Sequence, residues 1–235
     1  SSGGAGMALA QWMEDGELQL FPMPPTPIVG RRVPEGPATM VRGLHGEPWF
    51  FQLSGRYLNS WWWDAGWHQL GRLREDGDDD LLGPGPTVVF DDGGHPIVGW
   101  MEPRHVRLQR WNGRHWVDLS TAVEENRDGR LRSIGADGPR LVVVTEVEHH
   151  RLALRLHDGT SWRELEVPGR RPATLVAAFL PDGRLVAAWD EPMEQRVIVA
   201  TLQGAGWAPV GSWPYDAYLS ALHIDASPDG RRVLS

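Results

Sequence analysis

The sequence predicts an all-β fold, a five-bladed β-propeller of four-stranded antiparallel blades, closed by a blade shared between the N- and C-termini. Three observations predict it. First, the stretch Thr87–Ser120, TVVFDDGGHPIVGWMEPRHVRLQRWNGRHWVDLS, reads as four short apolar or alternating strands. The breaks between them carry Gly, Pro, Asp or Asn, which supply the backbone angles that turns require. Second, glycine turns recur at Gly46, Gly93, Gly138, Gly183 and Gly230, separated by 47, 45, 45 and 47 residues. Third, Trp67, Trp116, Trp162 and Trp207, each following a hairpin turn, are separated by 49, 46 and 45 residues. Two independent anchors on one period mark a repeat protein, and four short strands in about 45 residues is the size of a propeller blade.

Taken in order, whole blades fall at about 39–73, 87–120, 131–167 and 173–211, within a single domain 1–235. Residues 7–21, MALAQWMEDGELQLF, match only a third-to-fourth strand hairpin, with Trp12 where Trp111 sits and Leu18 where Trp116 sits. Residues 220–235 supply only a first and a second strand. The two halves complement each other into a fifth blade, and closing the ring this way removes exposed sheet edges.

Joined end to end, SPDGRRVLS (227–235) and SSGGAGMALAQW (1–12) resemble a WD40-type propeller repeat, and LPDGRLVAAWD (180–190) does so more weakly. The repeats are divergent. They lack the Gly-His start, and Trp-Asp occurs only at Trp63-Asp64 and Trp189-Asp190, out of matching register. The Asn/Asp-Gly…Trp hairpins are also similar to bacterial propeller repeats. These resemblances imply the propeller shape.

A Trp opening each outermost strand is suited to covering the seam between neighbouring blades with its large ring. Trp61, Trp62 and Trp63 run consecutively, and alternation along a strand sends Trp62 to the face opposite Trp61 and Trp63. Both faces of a blade pack against neighbours, so all three read as buried packing in preference to a ligand platform.

The 235 residues carry a net charge of −8, with 41% hydrophobic and 23% charged residues, as expected of a soluble globular protein. The scattered basic residues argue against duplex nucleic acid as a partner. No apolar run reaches the ~20 residues that span a membrane. Absence of cysteine excludes disulfides and thiolate chemistry, and leaves the redox compartment open. The start, SSGGAG, has neither the charged nor the apolar region of a signal peptide and reads as a cut end. The cytoplasm is the favoured compartment.

The loops joining fourth to first strands are unequal: Pro22–Ala38 has 17 residues and Arg74–Pro86 has 13. Long loops of this kind often carry function. The first holds Arg31 and Arg32; the second holds Glu75, Asp76, Asp78, Asp79 and Asp80. A calcium site needs ordered oxygen ligands, which this acidic run lacks, so it reads as a solvated turn. None of the nine histidines falls in a metal-ligating HxH, HxxxH or HExxH spacing, and His149 and His150 project in different directions. No nucleophile or phosphate-cradling motif occurs, and no metal or other cofactor is expected. The leading functional expectation is a non-enzymatic scaffold that binds a protein partner through the long-loop face. Arg31, Arg32, Asp78 and Asp79 form the rim in this reading, and Tyr215 and Tyr218 the anchors. A lectin-like carbohydrate-binding propeller is the alternative, and a hydrolase or lactonase with residues converging on the channel mouth is the third reading.

Overall fold

Strands covered on both faces must be apolar throughout, and the middle strands of this chain are. The segment Leu185–Glu191, LVAAWDE, is buried at six consecutive positions. The computed structural model describes residues 8–12, 18–22, 24, 38–54, 57–72, 85–102, 105–119, 130–147, 151–169, 172–216, 222, 224–226 and 232–234. Every regular element among them is a strand, and each pairing is antiparallel.

Four four-stranded sheets carry the fold. The first comprises β3 (Ala38–Arg42), β4 (Pro48–Ser54), β5 (Tyr57–Trp63) and β6 (Trp67–Arg72) in that order. The second comprises β7 (Thr87–Phe90), β8 (Pro96–Glu102), β9 (His105–Trp111) and β10 (Trp116–Asp118). The third holds β11 (Arg130–Asp137), β12 (Arg140–Val147), β13 (Arg151–His157) and β14 (Trp162–Leu165). The fourth holds β15 (Leu175–Phe179), β16 (Leu185–Glu191), β17 (Arg196–Gln203) and β18 (Gly206–Pro214). These match the four whole repeats read from the sequence.

Two further hairpins flank them. Strands β1 (Ala8–Trp12) and β2 (Leu18–Pro22) pair at one end of the chain, and β19 (Ile224–Ala226) and β20 (Arg232–Leu234) at the other. They form separate two-stranded sheets and not the single shared sheet expected from the sequence. The β19–β20 ladder has only three register pairs, Ile224↔Leu234 to Ala226↔Arg232, and offers little edge for another hairpin to extend.

The sheets pack face to face, and each seam has its own apolar cluster. Trp49, Phe51, Leu58, Val98 and Trp100 fill the seam between the first and second sheets. Val106, Leu108, Leu131, Ile134 and Val143 fill the next. Val142, Leu154, Leu175, Ala187 and Trp189 join the third sheet to the fourth. Val176, Val186, Val197 and Leu222 continue from the fourth sheet to the last hairpin, with Ile224 packed against them. First strands adjoin in turn, β3 with β7, β7 with β11, β11 with β15 and β15 with β19. Outer strands are wetter: β18 has no buried residue. This is the radial arrangement of a β-propeller, with first strands innermost.

Turn chemistry follows the repeat. Gly46, Gly138 and Gly183 take positive φ in the first-to-second turns as the spacing predicts, but in the second sheet the left-handed residue is Gly94 and not Gly93. Gly94 is the true counterpart: its N–H donates to the Asp91 carbonyl three residues back, as Gly46 does to Gly43 and Gly183 to Leu180. Asp91 Oδ1 reinforces this turn by accepting the backbone N–H groups of Gly93 and His95 at 3.0 and 2.9 Å.

Candidate functional site

Connections of an antiparallel sheet alternate between its two ends. The first-to-second turns and third-to-fourth hairpins therefore share one end, opposite the long loops. At that end the seam between the first and second sheets opens into a cleft of about 440 Å³.

Indoles build its apolar surface. Trp49, at the start of β4, is buried and stacks on Trp62 with ring centroids 6.2 Å apart and planes 29° from parallel. Phe90 meets the same ring edge-on at 5.8 Å. Trp62 pairs with Trp49 across the β4–β5 ladder, and Trp61 pairs with Phe50 on the opposite face, as strand alternation requires. Trp111 completes the aromatic rings facing the cleft, while Trp63 borders it at the strand end and carries its ring on the opposite face, against Phe21 and Trp67. Of the three consecutive tryptophans only Trp61 is fully buried. Trp62 lies at the end of the strand and remains half-exposed to the cleft.

Polar side chains come from three turns. The Glu47 carboxylate folds back over its own turn, accepting from Trp49 Nε1 through Oε1 and from the His45 N–H through Oε2, both at 3.0 Å. A Cβ on Gly43 would stand 2.0 Å from Glu47 Oε1, so only glycine leaves room for this arrangement. Asp64 is exposed at the tip of the β5–β6 hairpin, and its carboxylate has no partner among the described residues. The carbonyl of Asp64 lies 3.3 Å from His68 Nε2, whose ring packs on Trp62. His95 is held by Asp91, with Nδ1 3.4 Å from Oδ1, and Arg110 faces the other oxygen of Asp91 at 4.0 Å.

The cleft is open because the two turns that face it end in glycines. Gly94 (φ 76°) and Gly113 (φ 91°) need the left-handed conformation, and neither has a side chain to fill the seam. At the seam between the third and fourth sheets the corresponding positions are also glycines, Gly183 and Gly204, but there the β11–β12 turn, counterpart of the turn that carries Glu47, supplies Arg140. Its guanidinium donates to the Gly183 carbonyl at 2.8 Å, pairs with Asp137 and lies 4.9 Å over the Phe179 ring, covering the seam. Ala65 is also unusual. The other third-to-fourth hairpins put Gly113, Gly159 and Gly204 at positive φ, but this one puts Ala65 there at 51°, next to Asp64. Strained backbone of this kind concentrates at binding sites.

Of the residues expected to bind a partner, Arg31, Arg32, Asp78, Asp79 and Tyr218 lie outside the described residues. Tyr215 follows β18 and packs partly buried against the cluster that contains Val176, Val186 and Leu222. Burial, and secondarily the charge of Asp190, raises the pKa of its hydroxyl. No group of three metal-ligating side chains occurs among the described residues. Sequence reasoning passed over Glu47, Trp49, His95 and Trp111. The signal nearest to them is the Trp61–Trp62–Trp63–Asp64 run, which breaks the repeat.

Solved structures resemble this arrangement. AofleA from Arthrobotrys oligospora aligns with a TM-score of 0.56 at 12% identity, over 81% of this chain and 61% of that one. The Aleuria aurantia lectin, solved as a mutant with Fucα1-6GlcNAc, aligns at 0.51 and 10%, over 80% and 66%. A candidate 6-phosphogluconolactonase from Bacteroides uniformis aligns at 0.57 and 16%, over 96% and 68%. At these identities the likeness concerns the fold, which is of the β-propeller type. The chain spans between 60% and 65% of the length of several of the structures it matches. No protein-family model matches the sequence, and no curated protein is significantly similar to it.

Proposed function

We propose that the chain is a carbohydrate-binding propeller whose ligand occupies the cleft between the first and second sheets. The observation that carries this reading is the pairing of two half-exposed indoles, Trp62 and Trp111, with Glu47 and Asp64 around one open seam. A sugar ring has an apolar face that an indole covers and a rim of hydroxyls that carboxylates and imidazoles bind. Pockets for small ligands combine these two elements in volumes upward of about 300 Å³. The rigidity of the aromatic floor is set in advance by the Glu47–Trp49 hydrogen bond, so ordering costs on binding are low. The lectin likeness of the fold supports the same reading.

A glycan array followed by calorimetry tests it. The full chain should bind at least one sugar class, and Trp62→Ala should weaken binding by about tenfold or more, the scale of one lost stacking contact of ~1.5 kcal/mol. Circular dichroism would confirm that the variant stays folded. An array with no hit, or a hit indifferent to Trp62→Ala and Trp111→Ala, overturns the reading.

A further inference from the structure

Resting on the carbohydrate reading, we propose a ligand class for the cleft: a basic amino sugar, whose ring carries a protonated amine.

The charge of the lining points to it. Glu47 and Asp64 are the acidic side chains of the cleft; His45 and His95 also line it, and among the described residues no arginine does. The neighbouring arginines are placed elsewhere. Arg110 faces Asp91, and Arg42 lies against Gly46 beside an adjoining depression. An acidic sugar would therefore meet two carboxylates with no arginine to balance them, whereas an ammonium would meet two partners of opposite charge.

The aromatic lining acts in the same direction. Indole faces carry negative electrostatic potential, and Trp is the best of the aromatic residues at holding a cation over its ring. The Trp62 and Trp111 rings border the cleft, so their negative potential adds to that of the two carboxylates. An ammonium also brings three hydrogen-bond donors and no acceptor. Donors are what this site has room for. Each Glu47 oxygen already accepts one bond from the protein, leaving about half of the roughly four acceptor positions of a carboxylate free. Asp64 at the mouth has no partner among the described residues. Acetylating the amine would remove the charge and two of the donors.

The experiment is calorimetry of the full chain against four trisaccharides: the glucosamine trimer, its N-acetylated form, a neutral glucose trimer and a galacturonic acid trimer. The glucosamine trimer should bind about tenfold more tightly than the neutral one, the scale of a partly desolvated cation over indoles, with the advantage shrinking as salt rises. Asp64→Asn, which keeps shape and removes charge, should erase most of that preference. Equal or tighter binding of the neutral, acetylated or acidic trimer overturns this inference and leaves the carbohydrate reading standing. An array hit confined to non-basic sugars does the same. If neither the array nor the trimers give binding, both fall together.

Discussion

The indole N–H of Trp162, at the start of β14, donates to the carbonyl of Leu119, 3.3 Å away and 43 residues earlier in the chain. Trp207 in β18 donates in the same way to Glu166 at 3.0 Å, and Trp67 in β6 donates to Pro22 at 2.5 Å. Each bond ties the outermost strand of one sheet to the end of the outermost strand before it. Trp116 has the corresponding place in β10, and its Nε1 has no partner among the described residues. The recurring Trp is thus both a cover and a tether for the seam.

Removing the tether should loosen one seam at a time. Trp162→Phe keeps most of the packing and loses the bond, so it should destabilise by about 1 kcal/mol. Trp162→Ala also exposes the cluster beneath and should cost about 2–4 kcal/mol. Urea unfolding monitored by fluorescence would read both. Equal midpoints for the Phe variant and wild type would reduce the bond to an accident of packing.

Ala65 adopts φ 51° where the other hairpins use glycine. A side chain in the left-handed region costs roughly 1–2 kcal/mol, and glycine returns some of that as unfolded-state entropy. Ala65→Gly should therefore stabilise by about 0.5 kcal/mol. If the strain serves to hold Asp64 at the mouth, the same variant should bind sugar less well. A rise in melting temperature with unchanged affinity would separate the strain from the site.

Asp158 caps the β13–β14 hairpin, accepting from Thr160 N, Thr160 Oγ1 and Ser161 N at 2.9, 2.8 and 3.0 Å. These bonds, the one from the Ser161 backbone first, hold its pKa below the ordinary carboxylate value. Asp182 is shifted the same way, chiefly by the side chain of Arg184. A depressed carboxylate pKa contributes stability above the unfolded-state value, about pH 4, and that contribution is lost as pH falls further. Asp158→Asn should thus be less stable than wild type near pH 7, with the gap closing below pH 4. A gap independent of pH would mean that shape, and not charge, holds this turn.

The repeat was legible because its physics is local. Turn glycines, Asp or Asn caps and the hairpin Trp are read within a dozen residues, and they point to antiparallel sheets of four strands, of which the structure has four. The cleft was not legible in this way. Its lining comes from His45 to Gly113, from two turns and two hairpins of different sheets, and no spacing rule links Glu47 to Trp111. What makes it a cavity is missing bulk at Gly94 and Gly113 beside a Glu47 that folds back on its own turn where Arg140 reaches across its seam, and in sequence those glycines look like any other turn glycine. The Trp62 ring was read as buried packing because both faces of a blade are covered. It is exposed to the cleft because it sits at the end of its strand, where the seam opens, although it still packs on the cluster of Trp49, Val98 and Trp100.

The long-loop face keeps its own expectation. If Arg31 and Arg32 form the rim of a protein-binding surface, replacing both with Ala should weaken capture of a partner without altering the melting temperature, since exposed charges add little to folding. Replacing Asp78 and Asp79 should act mainly on association rate and its salt dependence. Pull-downs with wild type and the double Arg variant would compare the two. Equal recovery would place any protein-binding surface elsewhere.

The tethers also bear on how the ring closes. Trp67 bonds to the end of β2 as Trp162 bonds beyond β10 and Trp207 beyond β14, so β2 stands where a fourth strand stands. At the other end, β19 adjoins β15 as β15 adjoins β11, the place of a first strand. The two hairpins therefore stand in the places of a blade's two halves, although each forms its own two-stranded sheet; joining them into one sheet would put β20 beside β1. Hydrogen exchange would show it directly. If they join, amides of β1 and β20 should be protected together in the full chain, and those of β1 should lose protection when the last ten residues, Ala226–Ser235, are removed. That truncation should also lower the unfolding midpoint and favour aggregation, because it leaves an unpaired strand edge. Protection of β1 that survives the truncation, with solubility and midpoint unchanged, would mean that the β1–β2 hairpin ends the array and the ring stays open.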